Sequence, residues 1–136
     1  MIALDASVLI AVGDANDAHH RAAKGLMARR GDKPLVIGTL NLAEALVGPT
    51  KQARVEEFMR GLSAIGVTEV AFPADAATRL AHLRLTTRLS IPDCCVLLTA
   101  QQSGAAVATF DAGLRAAARS LGLQVLPDDE EPDPRS

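Results

Sequence analysis

Four carboxylates each interrupt a segment that is otherwise apolar or built of small residues. Asp5 follows Ile2-Ala3-Leu4, Glu44 lies within Leu40 to Val47, Asp93 precedes the run Cys94 to Ala100, and Asp111 stands just beyond Ala105 to Thr109. Taken singly, each Asp has a plain explanation, because an aspartate at a helix start caps free N–H groups and is stabilised by the helix dipole. Glu44 is no cap, and a carboxylate among so many apolar neighbours is rarely buried unless it is paired or bound to a metal; as an ordinary glutamate it requires the helix to expose that side. As a set, converging carboxylates repel one another unless protons or a cation intervene. A hard divalent ion, Mg²⁺ or Mn²⁺, suits oxygen ligands, keeps several waters and is commonly held by a few carboxylates together with a substrate phosphate. Such an ion orients and deprotonates a water and stabilises charge on a phosphodiester as it is cleaved.

For these acids to meet, the elements carrying them must converge. Ile2 to Leu4 reads as a strand that runs through Asp5 into a helix beginning near Ser7, with Val8 to Val12 as a short helix broken at Gly13-Asp14. Asp17 to Arg30 reads as a second helix, whose Arg21, Lys24, Arg29 and Arg30 form a basic face best explained by solvation and only secondarily by phosphate contact. His19 and His20 are adjacent on that helix and point in different directions, so they read as ordinary histidines and not as a metal pair. Pro34 to Gly38 reads as a strand, Thr39 as the N-cap of the helix Leu40 to Val47, and Gly48-Pro49 as its end. Gln52 to Ile65 shows helical spacing of Val55, Phe58, Met59 and Leu62, a stripe for the core or a subunit contact. Then follow a strand from Val67 to Phe72, a helix from Pro73 to Arg88, and a helix started by Ser90-Ile91-Pro92 with Asp93 in its first turn. Ala105 to Thr109 is a strand, Ala112 to Leu121 a helix opened by Asp111, and Leu123 to Leu126 a last strand. This alternation predicts an α/β fold with a mostly parallel sheet covered on both faces. In such a sheet Asp5 and Asp111 end strands and Asp93 opens a helix, so all three can reach the rim where open α/β sheets bind ligands.

Composition sets the bounds. A chain of 136 residues makes one domain with a substantial core. Trp and Tyr are absent and Phe occurs 3 times, so the core is built from Ala, Leu, Val and Ile, and few aromatic platforms remain for stacking bases. The net charge of -2 hides an acidic end: the stretch from Asp128 to Ser136 carries five acids and one Arg, and without it 13 basic and 11 acidic residues leave the body at +2. That charge permits contact with RNA without arguing for it. The end is too charged and proline-rich to pack and is expected to be a disordered tail, 128–136, beside a domain of 1–127. Cys94 and Cys95 are adjacent, which is poor disulfide geometry, and they form no C-x-x-C pair, so reduced buried thiols in a cytoplasmic protein are expected. No apolar run approaches the roughly 18 residues of a membrane span, and no basic region precedes the first apolar stretch, so nothing directs the chain out of the cytosol.

Asp5-Ala6-Ser7 after an N-terminal strand, Leu42-Ala43-Glu44 in a helix, Ile91-Pro92-Asp93 before an apolar helix, and Ala108-Thr109-Phe110-Asp111 closing a strand resemble, in order and spacing, the signature segments of PIN-domain ribonucleases. More narrowly, the chain from Met1 to Pro127 is similar to the toxins of VapBC toxin–antitoxin pairs. The resemblance implies a three-layer α/β/α PIN-like domain with the first strand at the centre of the sheet. It implies that Asp5, Glu44, Asp93 and Asp111 form the catalytic acidic metal site, Asp5 and Asp93 as direct ligands, Glu44 and Asp111 through water or a second ion. Ser7 and Thr109 become supporting hydroxyls, and Arg84 and Arg88, just before Asp93, candidate RNA phosphate contacts whose plainer reading is surface arginines near a helix end. It also implies a Mg²⁺- or Mn²⁺-dependent endoribonuclease that inhibits translation or growth, a homodimer, and inhibition by a cognate antitoxin whose C-terminal segment occupies the groove beside the acids.

Other readings lack a part. A haloacid-dehalogenase-like phosphatase needs Asp-x-Asp, but Ser7 stands at the second position. A phosphoacceptor receiver domain needs a late lysine, and the last one is Lys51. There is no G-x-x-x-x-G-K-[ST] loop and no evident Ser/His/Asp or Cys/His set. The non-enzymatic alternative is a catalytically silent PIN-like binding module for RNA or a protein, which would have no reason to keep the electrostatic cost of clustered acids.

Overall fold

Strand β1 (Ile2–Leu4) is three apolar residues, all buried, as befits a strand covered on both faces. It lies at the centre of a five-stranded sheet of order β3-β2-β1-β4-β5, with β2 (Leu35–Gly38), β3 (Val67–Val70), β4 (Ala106–Ala108) and β5 (Val125–Leu126). Every pairing is parallel, so the sheet is wholly and not merely mostly parallel. The computed structural model describes residues 1–128; apart from Asp128, the expected disordered tail lies outside the described residues.

Alternation along each strand divides the core. Ile2, Leu4, Leu35, Ile37 and Ala108 join residues of α1 (Ala6–Gly13), α2 (His20–Arg29), α3 (Thr39–Lys51) and α4 (Val55–Ala64) on one face. Ala3, Val36, Val107 and Val125 join residues of α5 (Ala76–Thr87), α6 (Ile91–Ser103) and α7 (Ala112–Ser120) on the other. Successive strand residues point to opposite faces, and this alternation generates the expected three layers. In α6 the run Cys94 to Ala100 is entirely buried, a helix apolar all round because it sits deep in its layer. Both cysteines are free thiols, and burial pushes Cys95 up to about 11.

Several boundaries differ from the sequence expectation for local reasons. Helix α2 begins at His20, not Asp17, because the Asp14 and Asp17 carboxylates accept from the N–H groups of Asn16 and His19, side-chain turns that compete with helix. Gly38, not Thr39, is the N-cap position of α3; the Thr39 hydroxyl donates instead to Glu69 on β3 at 2.7 Å. Gly48-Pro49 does not end α3, which continues to Lys51. A proline clashes with the Cβ of a helical residue before it, and glycine has none; the Thr50 hydroxyl meanwhile donates to the Leu46 carbonyl at 2.7 Å. Of the α4 stripe, Leu62 is buried and Phe58 packs against the core, while Met59 stays exposed.

Candidate active site

β1 and β4 pair with Leu4 opposite Ala108, so the residues that follow, Asp5 and Thr109, leave the sheet side by side. Asp5 occupies the N-cap position of α1 yet makes no capping bond with its side chain. Its Oδ2 accepts instead from the hydroxyls of Ser7 at 2.9 Å and Thr109 at 2.8 Å. Thr109 is fully buried and its Oγ1 also accepts from the Asp111 N–H at 3.1 Å, so one hydroxyl ties together the two acids that end neighbouring strands. Asp111 is exposed and does cap: its Oδ1 accepts from the Leu114 N–H at 2.8 Å at the start of α7. Its other oxygen has no partner among the described residues.

Asp93 reaches the same rim from the far layer. Ser90 is the N-cap of α6 and its Oγ accepts from the Asp93 N–H at 3.4 Å, which sets Asp93 in the first turn, half-buried. Burial raises its carboxyl above the ordinary carboxylate range; a hydrogen bond with Ser90 opposes the rise, and the charges of Asp5, Asp111 and Glu44 add to it. The fold thus brings Asp5, Asp111 and Glu44 within electrostatic reach of Asp93. Glu44 is exposed on α3, which is the condition an ordinary surface glutamate requires, and its Oε1 accepts from Asn41 Nδ2 at 3.2 Å.

The acids converge without forming a finished cage: among the described residues no three His, Cys, Asp or Glu side chains are placed to hold an ion. Four like charges at an open rim favour separation, and a divalent cation reverses that preference. The all-oxygen donor set, two of its acids held in place by hydroxyl and N–H donors, has the chemistry of a hard cation site and not of a zinc or redox one.

Of the two weaker candidates, Arg84 turns inward along its own helix, with one guanidinium nitrogen donating to the carbonyls of Arg88 at 3.2 Å and Leu89 at 2.7 Å. It thereby closes the C-terminus of α5, where Arg88 takes a left-handed conformation at φ 63°. Arg88 itself is exposed.

Sequence reasoning missed Asn41. It is 1% exposed, and its Nδ2 donates both to Glu44 and, at 3.0 Å, to the carbonyl of Pro92, the residue before Asp93. One amide therefore couples the two acids that lie on helices. The signal was the i, i+3 spacing of Asn41 and Glu44, overshadowed by the search for charged residues. A second missed feature is a parallel stack of His19 on Phe110, centroids 4.5 Å apart and planes 5° apart, immediately before Asp111. A groove of about 720 Å³ between α1, α3 and α4 runs up to Glu44, lined by Leu9, Ala45, Phe58, Leu62 and Ile65.

The family model of the PIN domain matches residues 2–120. Among solved structures, a toxin–antitoxin complex from Klebsiella pneumoniae is similar at a TM-score of 0.71 and 25% identity, covering 85% of this chain and 91% of that one. VapC20 of Mycobacterium tuberculosis, a sarcin-ricin loop cleaving toxin, aligns at a TM-score of 0.73 and 20% identity over 86% of this chain and 95% of its own. VapBC2 of Rickettsia felis bound to a promoter DNA fragment aligns at 0.64 and 16% over 92% and 97%. No curated protein sequence matches the chain significantly.

Proposed function

The chain belongs to the PIN domain family, and from that premise we propose that it is a metal-dependent endoribonuclease, the toxin of a toxin–antitoxin pair, cleaving RNA phosphodiester bonds at the rim that carries Asp5, Glu44, Asp93 and Asp111. The observation that carries the reading is the convergence of these acids from four elements, felt at Asp93. Similarity to a toxin–antitoxin complex and to an RNA-cleaving toxin supports the biological role.

In this reading Asp5 and Asp93 hold Mg²⁺ or Mn²⁺ directly, and Glu44 and Asp111 act through water or a second ion. When bound, the ion supplies Lewis acidity toward the phosphodiester and lowers the pKa of a water. Ser7 and Thr109 fix the Asp5 carboxylate through its Oδ2, so Asp5 would be held in place as a ligand. Asn41 holds Glu44 against the turn that carries Asp93. Arg88, exposed just before that turn, is the better placed of the two arginines for an RNA phosphate, since Arg84 is engaged at the end of α5.

The partner in the same reading is a cognate antitoxin, whose apolar segment fits the groove beside Glu44. A second copy of the chain would cover exposed apolar residues such as Leu85, at 79% exposure. Among the described residues no helix is long and apolar enough to cross a membrane, and the two buried free thiols suit a reducing cytoplasm.

The test is cleavage of total cellular RNA by purified, partner-free protein with Mg²⁺, Mn²⁺ or EDTA, beside Asp93→Ala. Cleavage that requires the metal and disappears in the variant is expected. Intact RNA in every lane, from a folded protein that binds the ion, would make a very narrow substrate or the silent binding module the leading account.

A further inference from the structure

His19 stacks face to face on Phe110, and no other aromatic pair stands among the described residues of a chain with no Trp or Tyr. Phe110 is half-buried against the core, so its ring is fixed; His19 is exposed, so the ring face turned away from Phe110 meets solvent. The stack is also tied to the acid rim by the chain itself. Phe110 lies between Thr109, whose hydroxyl holds Asp5, and Asp111, and consecutive Cα atoms are about 3.8 Å apart.

From this geometry we infer that the outer face of His19 is a stacking platform for an unpaired nucleobase adjacent to the scissile phosphate. The inference rests on the ribonuclease reading and adds to it a position at which a base, free to leave its neighbours, would be held. Stacking is the contact this corner can offer. Asp14, Asp17 and Asp111 surround it with negative charge, which disfavours a phosphate there but not a neutral π-face. The Asp17 Oδ1 and Asp14 Oδ1 are already spent on the N–H groups of His19 and Asn16, so these acids do not compete for the edge of a base through those oxygens. Cations for the RNA backbone stand further along α2, where Arg21 and Lys24 are exposed one turn apart.

The experiment measures fluorescence anisotropy of a labelled short oligouridylate and of the same ribose-phosphate chain carrying abasic sites, in Ca²⁺ buffer. The proteins are the wild type, His19→Ala and His19→Phe, each checked by circular dichroism. Stacking one base is worth on the order of tenfold in affinity. The wild type and His19→Phe are expected to prefer the base-bearing oligonucleotide by about that factor, and His19→Ala to lose the preference. A preference that persists in His19→Ala, that vanishes in His19→Phe, or that is absent from the wild type overturns the platform. If His19→Ala does not fold, His19→Gln, which also removes the ring, takes its place, and a base preference that it retains overturns the platform. Because the assay reads binding, its failure is distinct from failure of the nuclease reading, which is judged by RNA cleavage with Mg²⁺.

Discussion

Replacing Thr109 with Val should separate the geometry of the acid rim from its charge. Valine keeps the shape of threonine and removes only the hydroxyl, which in the wild type donates to Asp5 at 2.8 Å and accepts from the Asp111 N–H at 3.1 Å. The site is fully buried, so water cannot replace the hydroxyl without rearrangement. A hydrogen bond to a charged group contributes about 1.5–3 kcal/mol, and the N–H left behind adds a desolvation cost, so a loss of roughly 2–3 kcal/mol is expected. For a domain of this size that corresponds to a fall in Tm of about 10 °C. The functional effect follows from the same bond: Asp5 keeps only the exposed Ser7 hydroxyl as a guide, and loss of an outer-shell partner typically costs 10–100-fold in metal affinity. RNA cleavage by Thr109→Val should therefore need about 10–100-fold more Mg²⁺ and recover as the ion is raised. Thr109→Ser keeps the hydroxyl and loses one methyl, about 1 kcal/mol, with an unchanged Mg²⁺ requirement. A Thr109→Val protein with wild-type Tm and Mg²⁺ midpoint, or a Thr109→Ser protein that behaves like it, would refute the bridge as an organiser of the site.

Three further substitutions probe the surroundings. Because the Asp93 carboxyl is raised in the folded protein, its contribution to stability is full below the unfolded value of about 3.9 and is lost as pH rises through the folded value. In EDTA, Asp93→Asn should accordingly be more stable than wild type at neutral pH and lose that advantage in acid; urea melts across pH would contradict this by showing the same difference at both ends. Asn41→Ala removes the amide shared by Glu44 and the Pro92 carbonyl, and should cost about 1–3 kcal/mol in thermal melts together with a lowered kcat/KM. A Cβ on Gly38 would lie 2.6 Å from Thr99 Oγ1, so Gly38→Ala should destabilise by about 1–3 kcal/mol, most of it regained in the double variant with Thr99→Ala. An additive double variant would mean the clash is not the cause.

What the sequence conveyed, and what it withheld, follows from the range of the interactions involved. Strand β1 was legible because a short apolar run before Asp5 must be buried, and the parallel sheet because strands and helices alternate. The central place of β1 came from the family resemblance, since no local pattern states which strand is central, and the full order β3-β2-β1-β4-β5 is set by the fold alone. Helix ends were least legible where side chains compete with the backbone, as at Asp14 and Asp17, or where glycine disarms a proline, as at Gly48-Pro49. Asn41 was missed because its worth lies in a contact 51 residues away in sequence, with the Pro92 carbonyl. The stack of His19 on Phe110 was missed for the same reason: each residue looked ordinary until the fold placed one ring on the other.

A helix cap and a functional acid are compatible roles for Asp5, Asp93 and Asp111 once their oxygens are counted. Asp111 caps α7 through Oδ1, and that bond orients the carboxylate and leaves its second oxygen at the rim. Asp5 stands at a cap position but spends Oδ2 on two hydroxyls instead of on its helix. Asp93 is steadied by Ser90, which itself caps α6. For Asp111 the bond that caps a helix also orients the acid, for Asp5 two hydroxyls orient it without capping, and for Asp93 the Ser90 cap fixes the backbone that carries it, so part of the entropy of assembling the rim is met during folding. The Asp93 carboxyl is raised chiefly by burial and further by the charges of Asp5, Asp111 and Glu44, and that repulsive part is what a divalent cation can relieve.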